Sequence, residues 1–331
     1  MAVVTLLNNN TIMIRKSVMF ALMGFAFFTL SLASCKKFEG QQTVPSYIHI
    51  DSITVDCDYF VFGANTQKIT DAWVYVDDQL IGAFELPATF PVLKKGPCKV
   101  IVYGGIKVDG RSDARDRYPF YQRKVYESLN LVEDSIVTIQ PVLTYYPIGD
   151  GTNIAWMEDF ESTNTLLPEA ESDTNIVRVT GSEAWHSANS FFSGKVELPP
   201  DSMDFTLATV DEFKFYDDFA AGVYCLLEMD YCCNDTFCVG IQYYESYQLE
   251  TLKLVKVTPT DKTHDKPEKW NKIYINIGPW MNKFNTASYF KIFFTSDLTT
   301  SEDMDYGVVY HPINERRYYY LDNLKLLYRN L

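Results

Sequence analysis

Asp71-Ala72-Trp73-Val74-Tyr75-Val76, then Asp77-Asp78-Gln79, then Leu80-Ile81-Gly82-Ala83-Phe84 reads as a strand, a turn and a returning strand. Upstream, Tyr47-Ile48-His49-Ile50-Asp51-Ser52-Ile53-Thr54-Val55 alternates apolar and polar residues, as a half-buried strand does. Downstream, Leu86-Pro87-Ala88-Thr89-Phe90-Pro91-Val92 and Lys94-Lys95-Gly96 lead into a strand over residues 98–103, and residues 135–143 supply another. Short broken runs of the same kind recur over residues 224–230, 237–244, 270–277 and 290–295. The chain carries 23 Tyr and 22 Phe among many Val, Ile and Thr, residue types that favour strands. No segment sustains a long helical period with caps at both ends. The expected fold class is all-β, with two β-sandwich domains, and the length is ample for two cores.

The 331 residues carry a formal net charge of −14. Residues 1–34 contain Arg15 and Lys16 and no acid, so the remainder has 27 basic against 43 acidic side chains. Such a balance argues against nucleic acid, which needs basic patches to displace counterions. It argues equally against polybasic attraction to anionic lipid, and it repels anionic glycans at long range.

The N-terminal stretch gives an address. Arg15-Lys16, an apolar run from Val18 to Leu32 and the small residues Ala33-Ser34 follow the order of a secretory signal. The run is shorter than the ~20 residues that span a bilayer. Met13 would begin a more ordinary signal than Met1. Leu32-Ala33-Ser34-Cys35 resembles the lipobox of bacterial lipoproteins. That resemblance implies cleavage before Cys35, lipidation of Cys35 and a membrane partner through the lipid anchor. By the resemblance to enterobacterial lipoproteins, Lys36 after the Cys in place of Asp implies the outer membrane, on its periplasmic or cell-surface face; Bacteroidota surface lipoproteins often carry an acidic signal after the Cys, and Lys36-Lys37-Phe38-Glu39 has one acid. Residues 35–46 read as lipidated Cys and flexible tether. Export also permits disulfides. Cys233-Asn234-Asp235-Thr236-Phe237-Cys238 reads as two strands joined by a polar turn, which as a hairpin would set Cys238 opposite Cys233 or Cys232. A disulfide and buried free thiols both remain open for Cys57, Cys98, Cys225, Cys232, Cys233 and Cys238. The spacing lacks the paired C-x₂-C of structural zinc sites.

The hairpin, Pro-containing bend, Gly turn and return strand over residues 69–106 resemble the small sandwiches called PEGA-like domains, which implies a spacer or adhesion module over residues 47–146. Tyr145-Tyr146-Pro147-Ile148-Gly149-Asp150-Gly151 reads as a linker. Beyond it, Asn153-Ile154-Ala155-Trp156-Met157-Glu158-Asp159-Phe160-Glu161 and the closing Tyr318-Tyr319-Tyr320-Leu321-Asp322-Asn323-Leu324-Lys325-Leu326-Leu327 resemble the two ends of galactose-binding-like jelly rolls, the architecture of many carbohydrate-binding modules. This places a jelly roll over residues 147–331.

By that resemblance the first and last strands lie close. Glu161 and Asp322 then become candidates to hold a structural Ca²⁺, an ion suited to hard oxygen ligands, with Asp159 as a third. Sugar sites on sandwiches combine aromatic platforms with polar neighbours. Trp185 and Trp280, each in a loop-like context, and Tyr244 are the ligand-binding candidates, beside Tyr243 and Tyr247; the competing reading is that Trp is buried in a core. Residues 104–121 form a long polar loop in which Arg111, Arg115 and Arg117 interleave with Asp113 and Asp116 and then meet Tyr118, Phe120 and Tyr121. Arg and Tyr dominate interface hot spots, so Arg111, Arg115, Arg117 and Tyr118 are candidates for docking an envelope protein partner. Alternatively the loop pairs with itself and its aromatics cover the end of the sandwich.

Enzyme motifs are missing: the chain has no Gly-x-Ser-x-Gly elbow, no His-Glu-x-x-His and no Gly-rich phosphate loop. The expected function is that of a non-catalytic cell-envelope lipoprotein binding glycan through its second domain. The alternative is a structural, adhesion or assembly component docking a protein through residues 104–121.

Overall fold

A computed structural model describes residues 44–187, 189–200, 204–214, 224–260, 267–284, 286–296 and 316–329. The signal segment and Cys35 lie outside the described residues. The chain is all-β, as two sandwiches.

In the first sandwich, Asp71–Val76 pairs with Gln79–Glu85 on one side and with Gly96–Lys107 on the other. The far edge of Gly96–Lys107 takes Arg115–Arg117 and Lys124–Leu131 in succession. Val76 pairs with Gln79, leaving a two-residue turn in which Asp77 and Asp78 sit at φ 46° and 65°. Two left-handed residues match the twist of the flanking strands, and Asp tolerates that region better than bulky residues do. The facing layer is Ala88–Val92, Ser46–Ile50 and Ile136–Ile139, the last running parallel to Ser46–Ile50. Ile48, Ile50, Val74, Val100 and Val102 alternate inward and are fully buried between the layers.

The second sandwich has a sheet in the order Ile176–Thr180, Phe192–Leu198, Arg317–Arg329, Tyr224–Cys233, Asn271–Asn276, with Asn153–Glu158 also pairing Arg317–Arg329. The other sheet runs Leu166–Pro168, Thr206–Thr209, Phe290–Ser296, Phe237–Glu245, Gln248–Val257. Tyr224–Cys233 and Phe237–Glu245 lie in different sheets. Asn234-Asp235-Thr236 therefore carries the chain across the sandwich and makes no hairpin, which corrects the expected juxtaposition of Cys238 with Cys232 or Cys233. Among the described residues no disulfide joins the six cysteines, and burial raises the pKa of Cys225 and Cys233.

Arg317–Arg329 is buried on both faces over most of its length. Tyr319, Leu321, Leu324 and Leu326 enter the core, a set whose parity changes between 321 and 324. The change has a local cause: Asn323 sits at φ 49°, and the pairing with Tyr224–Cys233 shifts register opposite it. A bulge of this kind re-aims the side chains that follow. Here it turns Lys325 and Leu327 toward the first sandwich.

Leu226, Tyr274 and Leu327 of the second sandwich belong to the apolar cluster of the first. The loop of residues 104–121 forms much of this seam. Val108 bridges to Tyr274, the Asp109 N–H donates to the Tyr274 carbonyl at 2.8 Å, and the Asn276 N–H donates to the Asp109 carboxylate at 2.8 Å. Tyr118, Phe120 and Tyr121 are buried. Tyr118 therefore cannot present itself to an outside protein, correcting that expectation: it docks the chain's own second sandwich. Tyr145, expected in a linker, is also buried, stacked on Phe62 with ring centroids 4.5 Å apart.

Candidate functional site

Polar groups line the seam where the two sandwiches meet. Glu228, Asp230, Lys272 and Lys325 project from the outer face of the six-stranded sheet and are all buried. Lys272 Nζ stands 2.9 Å from Glu228 and 3.5 Å from Asp230, and donates to Thr66 of the first sandwich at 3.1 Å. Lys325 Nζ stands 3.7 Å from Glu228 and donates to the Ala64 carbonyl at 3.2 Å. The Tyr118 and Tyr145 hydroxyls both donate to Glu228. Burial alone would push the Glu228 carboxyl up, but Lys272 and Lys325 more than offset it and hold the group at about 2. Burial lowers the Lys325 pKa, with Glu228 opposing, while the two carboxylates outweigh burial at Lys272 and raise it.

At the edge of this network the seam opens into a cleft of about 390 Å³. One wall is Asn65, Thr66, Gln67 and Lys68 of the first sandwich; the other is Trp185 and Trp270 of the second, above Asp230, Asn271 and Lys272. Lys68 Nζ reaches across to Asn271 Oδ1 at 2.6 Å, and the Lys68 N–H donates to the Tyr274 hydroxyl at 3.0 Å. The Trp rings meet edge to face at 6.0 Å, and Trp270 meets Tyr320 at 6.4 Å. Trp185 is fixed by its backbone N–H, which donates to Ser193 Oγ at 2.8 Å. Its indole Nε1 is buried and has no hydrogen-bond partner. An unmatched buried donor of this sort calls for an explanation.

Of the three expected aromatic ligand residues, only Trp185 lines this cleft. Trp280 lies on the short helix Gly278–Lys283, half-buried against the core and stacked near Phe284. Tyr244 stacks on Tyr289 at 5.4 Å. Trp270 and residues 65–68 escape a sequence reading, because Trp270 reads only as the start of a strand and residues 65–68 belong to the other sandwich. Arg111 pairs with exposed Asp113, Arg115 pairs with Asp71 and Glu85, and Arg117 lies over Trp73 and Tyr103.

Glu161 and Asp322, the expected Ca²⁺ ligands, each accept hydrogen bonds from protein donors. Glu161 Oε1 accepts from the Phe191 and Phe192 N–H groups at 2.6 and 2.8 Å. Asp322 is fully buried, accepting from Ser193 Oγ at 2.6 Å, and burial pushes its carboxyl up to about 8. Among the described residues no group of three or more His, Cys, Asp or Glu is placed to hold a metal ion.

No family model matches the chain, and no curated protein does. Solved structures of similar build include the CBM22-1–GH10 modules of the Clostridium thermocellum xylanase 10B complexed with xylohexaose: 14% identity, TM-score 0.33, over 52% of this chain and 28% of that one. This chain thus spans just over a quarter of that protein. The tandem CBM22 domain from Paenibacillus barcinonensis gives 12% identity and a TM-score of 0.35 over 79% of this chain and 74% of that one. A family 11 carbohydrate-binding module of a Clostridium thermocellum cellulosomal cellulase gives 11% and 0.32 over 53% and 94%.

Proposed function

We propose that this protein is a non-catalytic, lipid-anchored component of the bacterial cell envelope that binds a neutral glycan in the cleft between residues 65–68 and the Trp185–Trp270 pair. The observation that carries the reading is that pair: two indoles wall a cleft whose remaining lining is amide, hydroxyl, ammonium and the Asp230 carboxylate. A ligand pocket combines apolar walls with a few placed polar groups in this way, and a sugar offers a C–H face for the first and hydroxyls for the second. Lys272 is charge-matched by Glu228 and Asp230, and Asp230 itself lines the cleft, which favours an uncharged ligand over an anionic one.

The anchor rests on Leu32-Ala33-Ser34-Cys35, and the outer membrane on Lys36. The absence of hydrolase motifs from the sequence supports a non-catalytic role. The first sandwich, with its PEGA-like hairpin and bend, serves as a spacer that also walls the cleft. A glycan array probed with the purified protein, with Ca²⁺ and with EDTA, tests the reading. Specific, saturable binding that Trp185→Ala or Trp270→Ala weakens by at least about tenfold is expected, since base-free aromatic contacts of this size contribute on the order of 1 kcal/mol or more each. Silence under both conditions, or binding that both variants leave intact, sinks it.

A further inference from the structure

A second cleft, of about 240 Å³, opens where Arg117, Tyr103 and Tyr146 of the first sandwich meet Tyr224 and Arg329 of the second. Tyr224 and Asp230 belong to one strand, so this cleft and the Trp185–Trp270 cleft lie roughly 20 Å apart along it. Its chemistry differs. Arg111, Arg115 and Arg316 each take a carboxylate partner. Arg117 takes none among the described residues; its guanidinium lies 5.0 Å from the Tyr103 centroid and 5.8 Å from that of Trp73. Arg329 lies 5.1 Å from the Tyr146 centroid and donates to the Pro119 carbonyl at 3.1 Å. Asp116 also lines the cleft, but one of its oxygens accepts from the Arg117 backbone N–H. In a chain of net charge −14, two guanidiniums thus converge on one concavity, held by aromatic faces and facing a single acid.

We propose that Arg117 and Arg329 bind the carboxylate of an acidic saccharide in this cleft, with Tyr103, Tyr146 and Tyr224 as its aromatic walls. A planar guanidinium fork matches a carboxylate with two parallel hydrogen bonds. The rings beneath Arg117 fix its plane, so little side-chain freedom is lost on binding. The site is independent of the neutral-glycan cleft and stands or falls separately from it.

Calorimetry on the whole protein tests it with three probes: oligomers of galacturonate and of glucuronate, their methyl esters, and inorganic phosphate. The acidic oligomers are expected to bind and the esters to bind at least about tenfold more weakly, the loss typical of a charge-assisted hydrogen bond. Arg117→Gln and Arg329→Gln should each give a similar loss, with circular dichroism unchanged, while Arg329→Lys should retain part of the affinity. Trp270→Ala should leave this binding intact. Failure of every acidic oligomer to bind overturns the proposal. So does equal binding of the esters, full affinity in both Gln variants, loss only in Trp270→Ala, or phosphate binding as tightly as the oligomers.

Discussion

The interior of the second sandwich and the seam between the two sandwiches are both buried, and they are built from opposite materials. The interior is Leu, Ile, Val, Phe and Met, with Leu227, Ile275, Phe294 and Leu326 fully buried. The seam sets Glu228, Lys272 and Lys325 among the hydroxyls of Tyr118 and Tyr145. Apolar burial has no direction, so it drives collapse and leaves orientation to shape. Hydrogen-bonded ions in a low-dielectric setting are costly unless every partner stands in place, so they fix one arrangement or fail. The seam therefore sets how the sandwiches face each other, and the walls of both clefts inherit that setting.

The sharpest way to break this contrast is Glu228→Ala. It leaves Lys272 and Lys325 buried without their shared acid, and a loss of about 3–5 kcal/mol is expected. Calorimetry should show the two sandwiches melting apart; a single transition with an unchanged midpoint would mean that the seam does not couple them. Leu227→Ala, in the core, should cost about 2–5 kcal/mol as transfer plus cavity, and the two halves should still melt together.

Acid sharpens the comparison further. The Glu228 carboxyl is depressed from its ordinary 4.5 to about 2. Its contribution is then fully present above pH 4.5 and fades as the pH falls toward 2, amounting to roughly 3 kcal/mol. Asp322 runs the other way, raised from 3.8 to about 8. The folded state prefers its neutral form, so stability declines as the pH rises through the interval between those values. Asp322→Asn should flatten that upper limb while leaving the acid limb in place; melting curves across pH 2–9 read both. The smallest effect expected is that of Arg111→Ala, whose exposed pair with Asp113 is screened by solvent, so the midpoint should barely shift.

Strand-level order was legible wherever alternation was clean. The turn at Asp77-Asp78 and the runs at 224–230 and 237–244 stand where the pattern puts them, whereas the single strand expected over residues 47–55 is split into Ser46–Ile50 and Thr54–Val55, which pair in different sheets. Pairing was less legible. The short loop after Cys233 suits a hairpin equally well, and only the packing of the whole sandwich sends Phe237–Glu245 to the other sheet. The polar loop 104–121 offered two readings, a docking surface or aromatics that cover the end of the sandwich; its tyrosines close the seam, and the partner of the Tyr118 hydroxyl is Glu228, more than a hundred residues away. The Trp185 half of the candidate cleft was visible in sequence. Its partners Trp270 and residues 65–68 were not, since no local pattern records which strands a fold brings side by side.

The Arg317–Arg329 strand carries one more consequence, for the order of events during synthesis. It hydrogen-bonds to Asn153–Glu158, Phe192–Leu198 and Tyr224–Cys233 at once, and it delivers Lys325 and Leu327 to the seam. A nascent chain halted before residue 317 lacks the middle of its largest sheet and part of the apolar cluster of its first sandwich. Neither half reaches its final packing before Lys325 and Leu327 have been made, so the last described strand to be synthesised is the one that completes both sandwiches.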